Sequence, residues 1–308
     1  MSRETFSFDP RRSGESPRHD HERNKDVPRP RRRGRPREEM TEALRFDVRE
    51  GRPLEPERED SPRAYLLGDR TFLLRDSELK TMTELGTFRL VAATDLSRFA
   101  YANDAARMER DLDRLKAQGL VAERTLPTSG RKALRVVALT KTGKRLLENT
   151  NLVPEGQAIY HGIVKPREAK HDAELYRLFQ SEAARIENAG GRPLRVVLDY
   201  ELQRDLNRER ARLTEGGNDP REIERLAAHH GLAVVDGRIP VPDMRIEYHT
   251  AEFEIRSVDL ELATRHYRPR GIAEKAKAGF SLYSHREDAA RLRRILDGQE
   301  LSARIFAL

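Results

Sequence analysis

Apolar residues are sparse and aperiodic from Met1 to about Arg63, then recur at regular spacings to the end of the chain. The first stretch is rich in Arg, Pro, Glu and Asp. It carries too little apolar surface to offset the entropy of ordering and reads as a disordered basic arm over residues 1–63. Leu66, Leu67, Phe72, Leu73 and Leu74 predict a short strand or turn. From Asp76-Ser77, the positions Leu79, Met82 and Leu85 share one face of a helix that Gly86 ends. Residues 94–99 predict a short second helix, and Asn103 is expected to cap a third running to about Gln118. On this third helix Ala105, Met108, Leu112 and Leu115 share one side, while Arg107, Arg110 and Arg114 fall nearly opposite. After Gly119, strands are expected over 121–126 and 133–139, joined by Pro127-Thr128-Ser129-Gly130 with Arg131 and Lys132 at the tip. A closing helix starts within Leu139-Thr140-Lys141-Thr142-Gly143-Lys144-Arg145-Leu146-Leu147.

Three helices followed by a basic-tipped hairpin make a winged helix-turn-helix over residues 64–150. In such a domain helix three enters the major groove of double-stranded DNA and the wing meets phosphate or the minor groove. The passage Arg114-Leu115-Lys116-Ala117-Gln118-Gly119-Leu120-Val121, with the Leu-Thr-x-x-Gly segment after it, resembles winged-helix transcription factors. The alternative is a protein-contact winged helix on which Arg107, Arg110 and Arg114 form a solvated face. Charge bears on this choice: 59 Lys and Arg against 52 Asp and Glu leave a net +7, which suits a polyanionic partner. Residues 1–40 hold 12 bases against 8 acids, and the run from Pro28 to Arg37 contains no acid. Within it Arg33-Gly34-Arg35-Pro36 matches the core of an AT-hook, where Gly admits close approach to the minor-groove floor and Arg33 and Arg35 reach A·T-edge acceptors. The other reading of the arm is a non-specific electrostatic tether. No run approaches the roughly 18 apolar residues of a membrane span, and the N-terminus lacks the apolar region of a signal peptide, so the expectation is a cytoplasmic protein with no membrane partner. The absence of cysteine removes disulfides, thiolate catalysis and Cys-ligated zinc.

Residues 151–169 are polar and Pro-containing and read as a linker to a second domain over 170–308. A helix over about 171–188 precedes an apolar strand at 194–198, which leads into Asp199-Tyr200-Glu201. A charged insertion over 203–230 predicts two helical pieces broken at Gly216-Gly217-Asn218-Asp219-Pro220, with His229-His230 at a helix C-terminus where imidazolium suits the dipole. Strands around 239–248 and 253–263 are close enough to form a hairpin. Alternation puts Asp259 and Glu261 on one face, and pairing brings Asp243 beside them. In a buried place such a carboxylate cluster is poorly tolerated unless protonated or neutralised, and Mg²⁺ or Mn²⁺ is the usual neutraliser, able to activate water or polarise a phosphodiester. The alternative is a solvated sheet face paired with Arg256, Arg265 and Arg268. His171, His266, Tyr267 and Tyr283 are either structural or contributors to a site.

The order of helix, strand, Pro242-Asp243 strand, the acidic strand Val258-Asp259-Leu260-Glu261-Leu262-Ala263-Thr264 and the helix from Gly271 to Phe280 resembles the PD-(D/E)xK nuclease core. With the winged helix it resembles the replication-relaxation family, which includes MobC-type plasmid relaxases. The resemblance implies an α+β chain: a winged helix-turn-helix followed by an α/β restriction-endonuclease-like domain, with Asp243 and Glu261 in catalysis. The pattern's lysine, two residues after the second acid, is replaced by Ala263. Either Lys275 or Lys277 supplies the cation, or the site is inactive. The function implied is DNA binding in plasmid or mobile-element replication or mobilisation, with metal-dependent nicking, and a homodimer or other DNA-processing proteins as partners. The alternative is a non-enzymatic regulator of transcription or plasmid maintenance.

Overall fold

The computed structural model describes residues 61–127, 133–150, 152–163, 166–212, 219–264, 267–301 and 303–308. A hairpin of β1 (Arg63–Leu67) and β2 (Arg70–Leu74) leads into α1 (Asp76–Thr87). Glu78 fixes the start of that helix by accepting from the Arg75 backbone N–H at 2.7 Å. A two-residue strand β3 (Val91–Ala92) precedes α2 (Ala93–Ala100) and α3 (Ala105–Ala117), and the antiparallel wing strands are β4 (Val121–Leu126) and β5 (Leu134–Leu139). The three strands form a sheet in the order β3-β5-β4, and α4 (Lys141–Glu148) closes the unit.

A helix, a short strand, two further helices and a two-stranded hairpin, in this order, have the arrangement of a winged helix-turn-helix. The apolar spacing on α3 does bury Met108, Leu112 and Leu115, but Ala105 is exposed. The cap is Asp104, whose carboxylate accepts from Arg107 N at 2.9 Å. Asn103, expected as the cap, instead lies in the turn between α2 and α3 with φ 70°, next to Ala102 at φ 49°. That left-handed pair folds the chain back sharply, and Asn tolerates the conformation better than most residues.

The expected linker is packed where it is described. Tyr160 N donates to Gly86 O at 2.8 Å, Gly162 N donates to Leu139 O at 2.8 Å, and Ile159 joins the core. The long helix α5 (Pro166–Asn188) then begins earlier than the apolar pattern indicates. Next come β6 (Arg192–Leu198), α6 (Asp199–Arg210), α7 (Pro220–His229), the antiparallel hairpin β7 (Met244–His249) and β8 (Ile255–Leu262), α8 (Pro269–Lys277), β9 (Ser281–Ser284), α9 (Arg286–Asp297) and β10 (Ile305–Ala307). These strands form one mixed sheet in the order β10-β9-β8-β7-β6, antiparallel from β6 to β8 and parallel from β8 to β10.

The chain is therefore mixed α+β. The winged helix and the C-terminal sheet belong to the same compact unit, Glu57–Leu308, and share one apolar core. Phe88 from the winged helix packs edge-on against Tyr176 of α5, with ring centroids 5.2 Å apart, and 5.0 Å from Phe179. Arg177 of α5 binds both carboxylate oxygens of buried Asp95 on α2 at 2.9 Å each. Among the described residues no helix is long and apolar enough to cross a membrane.

Candidate functional site

Where β7 and β8 pair, Met244 lies opposite Leu260 and Arg245 opposite Asp259, so Asp243 just before β7 stands across from Glu261 near the end of β8. The two acids are tied together through the backbone. Asp243 N donates to Glu261 Oε2 at 3.3 Å, and Leu262 N donates to Asp243 Oδ2 at 2.8 Å. Glu261 is 0% exposed. The fold answers this buried charge from α8: Lys275 Nζ donates to Glu261 Oε2 at 2.9 Å and to Val241 O at 2.5 Å. Tyr267 O–H donates to the other Glu261 oxygen. On the opposite side His171 of α5 brings Nε2 to 3.4 Å from Asp243 Oδ1.

Two further acids border this group. Asp199 begins α6, and its N–H donates to Asp243 O at 3.1 Å. Asp172 of α5 brings its buried Oδ2 to 3.3 Å from Arg89 Nη1, an ion pair with a cation supplied by the winged helix, without the geometry of a hydrogen bond. Burial pushes all four carboxyls up. Asp243 rises to about 6, opposed by the Leu262 N–H and Lys275 and reinforced by Asp199 and Asp172. Glu261 rises to about 7 through burial and the charge of Asp243, with Lys275 pulling it down. Asp172 rises to about 6, mainly from burial. Asp199 also rises for that reason. The Tyr267 phenol is raised by burial and by the negative charge of Glu261 and Asp243. It therefore serves Glu261 as a neutral hydrogen-bond donor.

The donors are all oxygen, a chemistry that suits a hard divalent cation such as Mg²⁺ or Mn²⁺ better than a soft metal, but among the described residues no three of these carboxylates bring ligand oxygens within 4.8 Å of one another. Asp243 and Glu261 face one another and would hold it.

The expected residues divide on this geometry. Asp243, Glu261 and Lys275 come together, with His171 and Tyr267 beside them. Asp259 does not join them. Arg245, directly across the hairpin, grips it through Nε–Oδ1 at 2.7 Å and Nη2–Oδ2 at 2.9 Å. Among the described residues, Asp243, Asp259 and Glu261 are not a trio whose ligand oxygens all lie within 4.8 Å of one another. Lys277, two residues beyond Lys275, turns toward Asp236 at 3.8 Å instead. Tyr283 is buried on β9 and donates to Glu182 of α5, away from the cluster. His266 and Arg265 lie outside the described residues. Asp172 and Asp199 escaped the sequence reading. The only signal for Asp199 was an acid placed immediately after an apolar strand.

On the winged helix, Arg110 is exposed on α3 and Arg107 is half-buried at the helix start. Arg114 departs from the expected solvent-facing stripe. Its Nε donates to Glu78 at 2.5 Å, and it also bonds Asp111, both acids being buried. Arg135 on the wing is likewise engaged, with Glu123 and Glu109. Arg131 and Lys132 at the wing tip, and Arg33 and Arg35 in the arm, lie outside the described residues.

No family model and no curated protein matches this chain. Among solved structures, the crystal structure of Bacillus subtilis PadR in complex with operator DNA is similar at 15% sequence identity, covering 46% of this chain and 78% of that chain, with a TM-score of 0.21.

Proposed function

We propose that this chain binds double-stranded DNA through its winged helix and cleaves a phosphodiester with divalent-metal help at the Asp243–Glu261–Lys275 cluster, as a replication-relaxation-type protein of a plasmid or other mobile element. The observation that carries the reading is Lys275 Nζ at 2.9 Å from Glu261 Oε2. It supports a PD-(D/E)xK-like arrangement in which the lysine comes from the following helix, although Ala263 stands at the usual position. When bound at Asp243 and Glu261, Mg²⁺ or Mn²⁺ supplies Lewis-acid polarisation of the phosphodiester and acidifies a coordinated water. Lys275 is placed to stabilise negative charge building on phosphate. His171, 3.4 Å from Asp243, is placed to take up or return a proton. Arg110 and the chain's net +7 support duplex binding.

The test is nicking of a supercoiled plasmid carrying the protein's own origin region, with and without Mn²⁺, alongside duplex affinity. Asp243→Ala and Lys275→Ala should abolish or strongly slow nicking and leave duplex affinity unchanged. Failure of the wild type to nick, together with no Mn²⁺ or Mg²⁺ binding by calorimetry, overturns the enzymatic reading. A second reading, a regulator with a non-catalytic C-terminal domain, is favoured by one observation: Lys275 and Tyr267 already occupy both oxygens of Glu261. It predicts duplex binding with no metal uptake at that cluster.

A further inference from the structure

A second, chemically different group of ligands lies apart from the buried carboxylates. Glu209 sits on the last turn of α6, while His229 ends α7 and His230 is its C-cap. One ligand atom from each of the three lies within 4.8 Å of the other two, and among the described residues no other trio of His, Asp and Glu is so disposed. His230 Nε2 is 2.8 Å from Glu209 Oε2 and His229 Nε2 is 3.9 Å from the same oxygen. The imidazole rings stand edge to face with centroids 5.1 Å apart.

A tetrahedral zinc ion with ligands at about 2.0–2.1 Å holds its donor atoms about 3.3 Å from one another, a spacing that falls between the two observed distances. Small side-chain rotations therefore convert the hydrogen-bonded group into a coordination shell. The donor set also decides the class of metal. Two imidazoles and one carboxylate suit Zn²⁺ and its neighbours among the late divalent transition ions, whereas the all-oxygen cluster around Asp243 suits Mg²⁺ or Mn²⁺. His229 is exposed, so a fourth position stays open to water.

We infer that Glu209, His229 and His230 form a binding site for Zn²⁺ or a similar late divalent transition-metal ion, which clips α6 to α7. The site is independent of the proposed nuclease reading. Its mechanical connection runs inward: the carbonyls of His230 and Gly231 accept from Arg245 at 2.6 and 3.0 Å, and Arg245 in turn holds Asp259. A metal bound at the clip thus steadies the hairpin that carries Asp243 two residues away.

Full-length protein is titrated with Co²⁺ and with Zn²⁺, and the readouts are the visible absorption of tetrahedral Co²⁺, calorimetric stoichiometry and the zinc-dependent rise in Tm. One equivalent is expected to bind the wild type and the Asp243→Ala variant alike. His229→Ala and His230→Ala should each weaken binding by more than about 100-fold, the upper end of what losing an outer-shell partner costs. Because His229 is 70% exposed on its side chain, its replacement leaves the metal-free Tm unchanged and separates metal loss from misfolding. Mg²⁺ should not compete. Binding to His229→Ala as tight as to the wild type overturns the site, as does the absence of both the Co²⁺ band and the zinc-dependent Tm shift.

Discussion

Glu261 is the residue on which the proposed chemistry turns. Its carboxyl is raised from an ordinary 4.5 to about 7 by burial and by Asp243. For an acid raised by folding, the folded state holds its proton where the unfolded chain has already released it. The resulting stability is present in full below about 4.5 and is lost as pH rises through about 7. Denaturant midpoints across that window should therefore fall for the wild type and fall less for Glu261→Gln; parallel profiles would show that Glu261 does not carry the dependence. Mn²⁺ held at Asp243 and Glu261 as proposed would compete with the same protons, so its affinity should climb across the interval. The Asp243–Glu261 pair was legible in the sequence because a hairpin register and side-chain alternation suffice to place it. The choice between Lys275 and Lys277 was not. Two residues apart on a helix means about 200° around its axis, so only one can face the acids, and which one depends on how α8 docks.

At the scale of elements, periodicity identified the buried stripe of α3 but misassigned Arg114. Periodicity alone places Arg114 toward solvent, whereas the buried acids Glu78 and Asp111 engage its guanidinium and leave the side chain 37% exposed. Arg110 and Arg114 should then separate experimentally. Arg114→Ala leaves buried acceptors unsatisfied and should lower stability by about 1–3 kcal/mol, read as a fall in Tm. Arg110→Ala should leave Tm in place and reduce the salt slope of duplex binding by about 1. Equal effects of the two on Tm would place Arg110 in the same structural role. The Leu-Thr-x-x-Gly segment has a packing explanation. Thr140 caps α4 by accepting from Gly143 N at 3.0 Å, and a Cβ on Gly143 would meet Leu120 O at 2.1 Å. Gly143→Ala should cost about 1–3 kcal/mol of overpacking, while Gly68→Ala probes only backbone strain, since it meets no atom within 4 Å.

For the whole molecule, composition pointed to two domains joined by a polar linker, yet residues 152–163 lie against α1 and β5 and the two parts share a core. A polar, Pro-containing segment signals the absence of regular structure, and it carries no information about whether tertiary packing covers it. Val153, Ile159, Tyr160 and Ile163 were the apolar hints that the packing uses. Phe88, Tyr176 and Phe179 close the contact between the parts, and Arg177–Asp95 and Arg89–Asp172 bridge it with charge. Residues 61–308 should accordingly unfold in a single cooperative transition. Phe88→Ala, which empties a fully buried ring site, should lower stability by about 3–5 kcal/mol and move that one transition as a whole. If duplex binds the winged helix and Mn²⁺ the carboxylates as proposed, both should raise the same Tm, because each would bind a part of one cooperative unit. Calorimetry is the deciding measurement. Two resolved transitions, only the earlier one responding to duplex and only the later to Mn²⁺, would mean that the shared core does not couple the parts and that any DNA held by α3 is free to move relative to the acids.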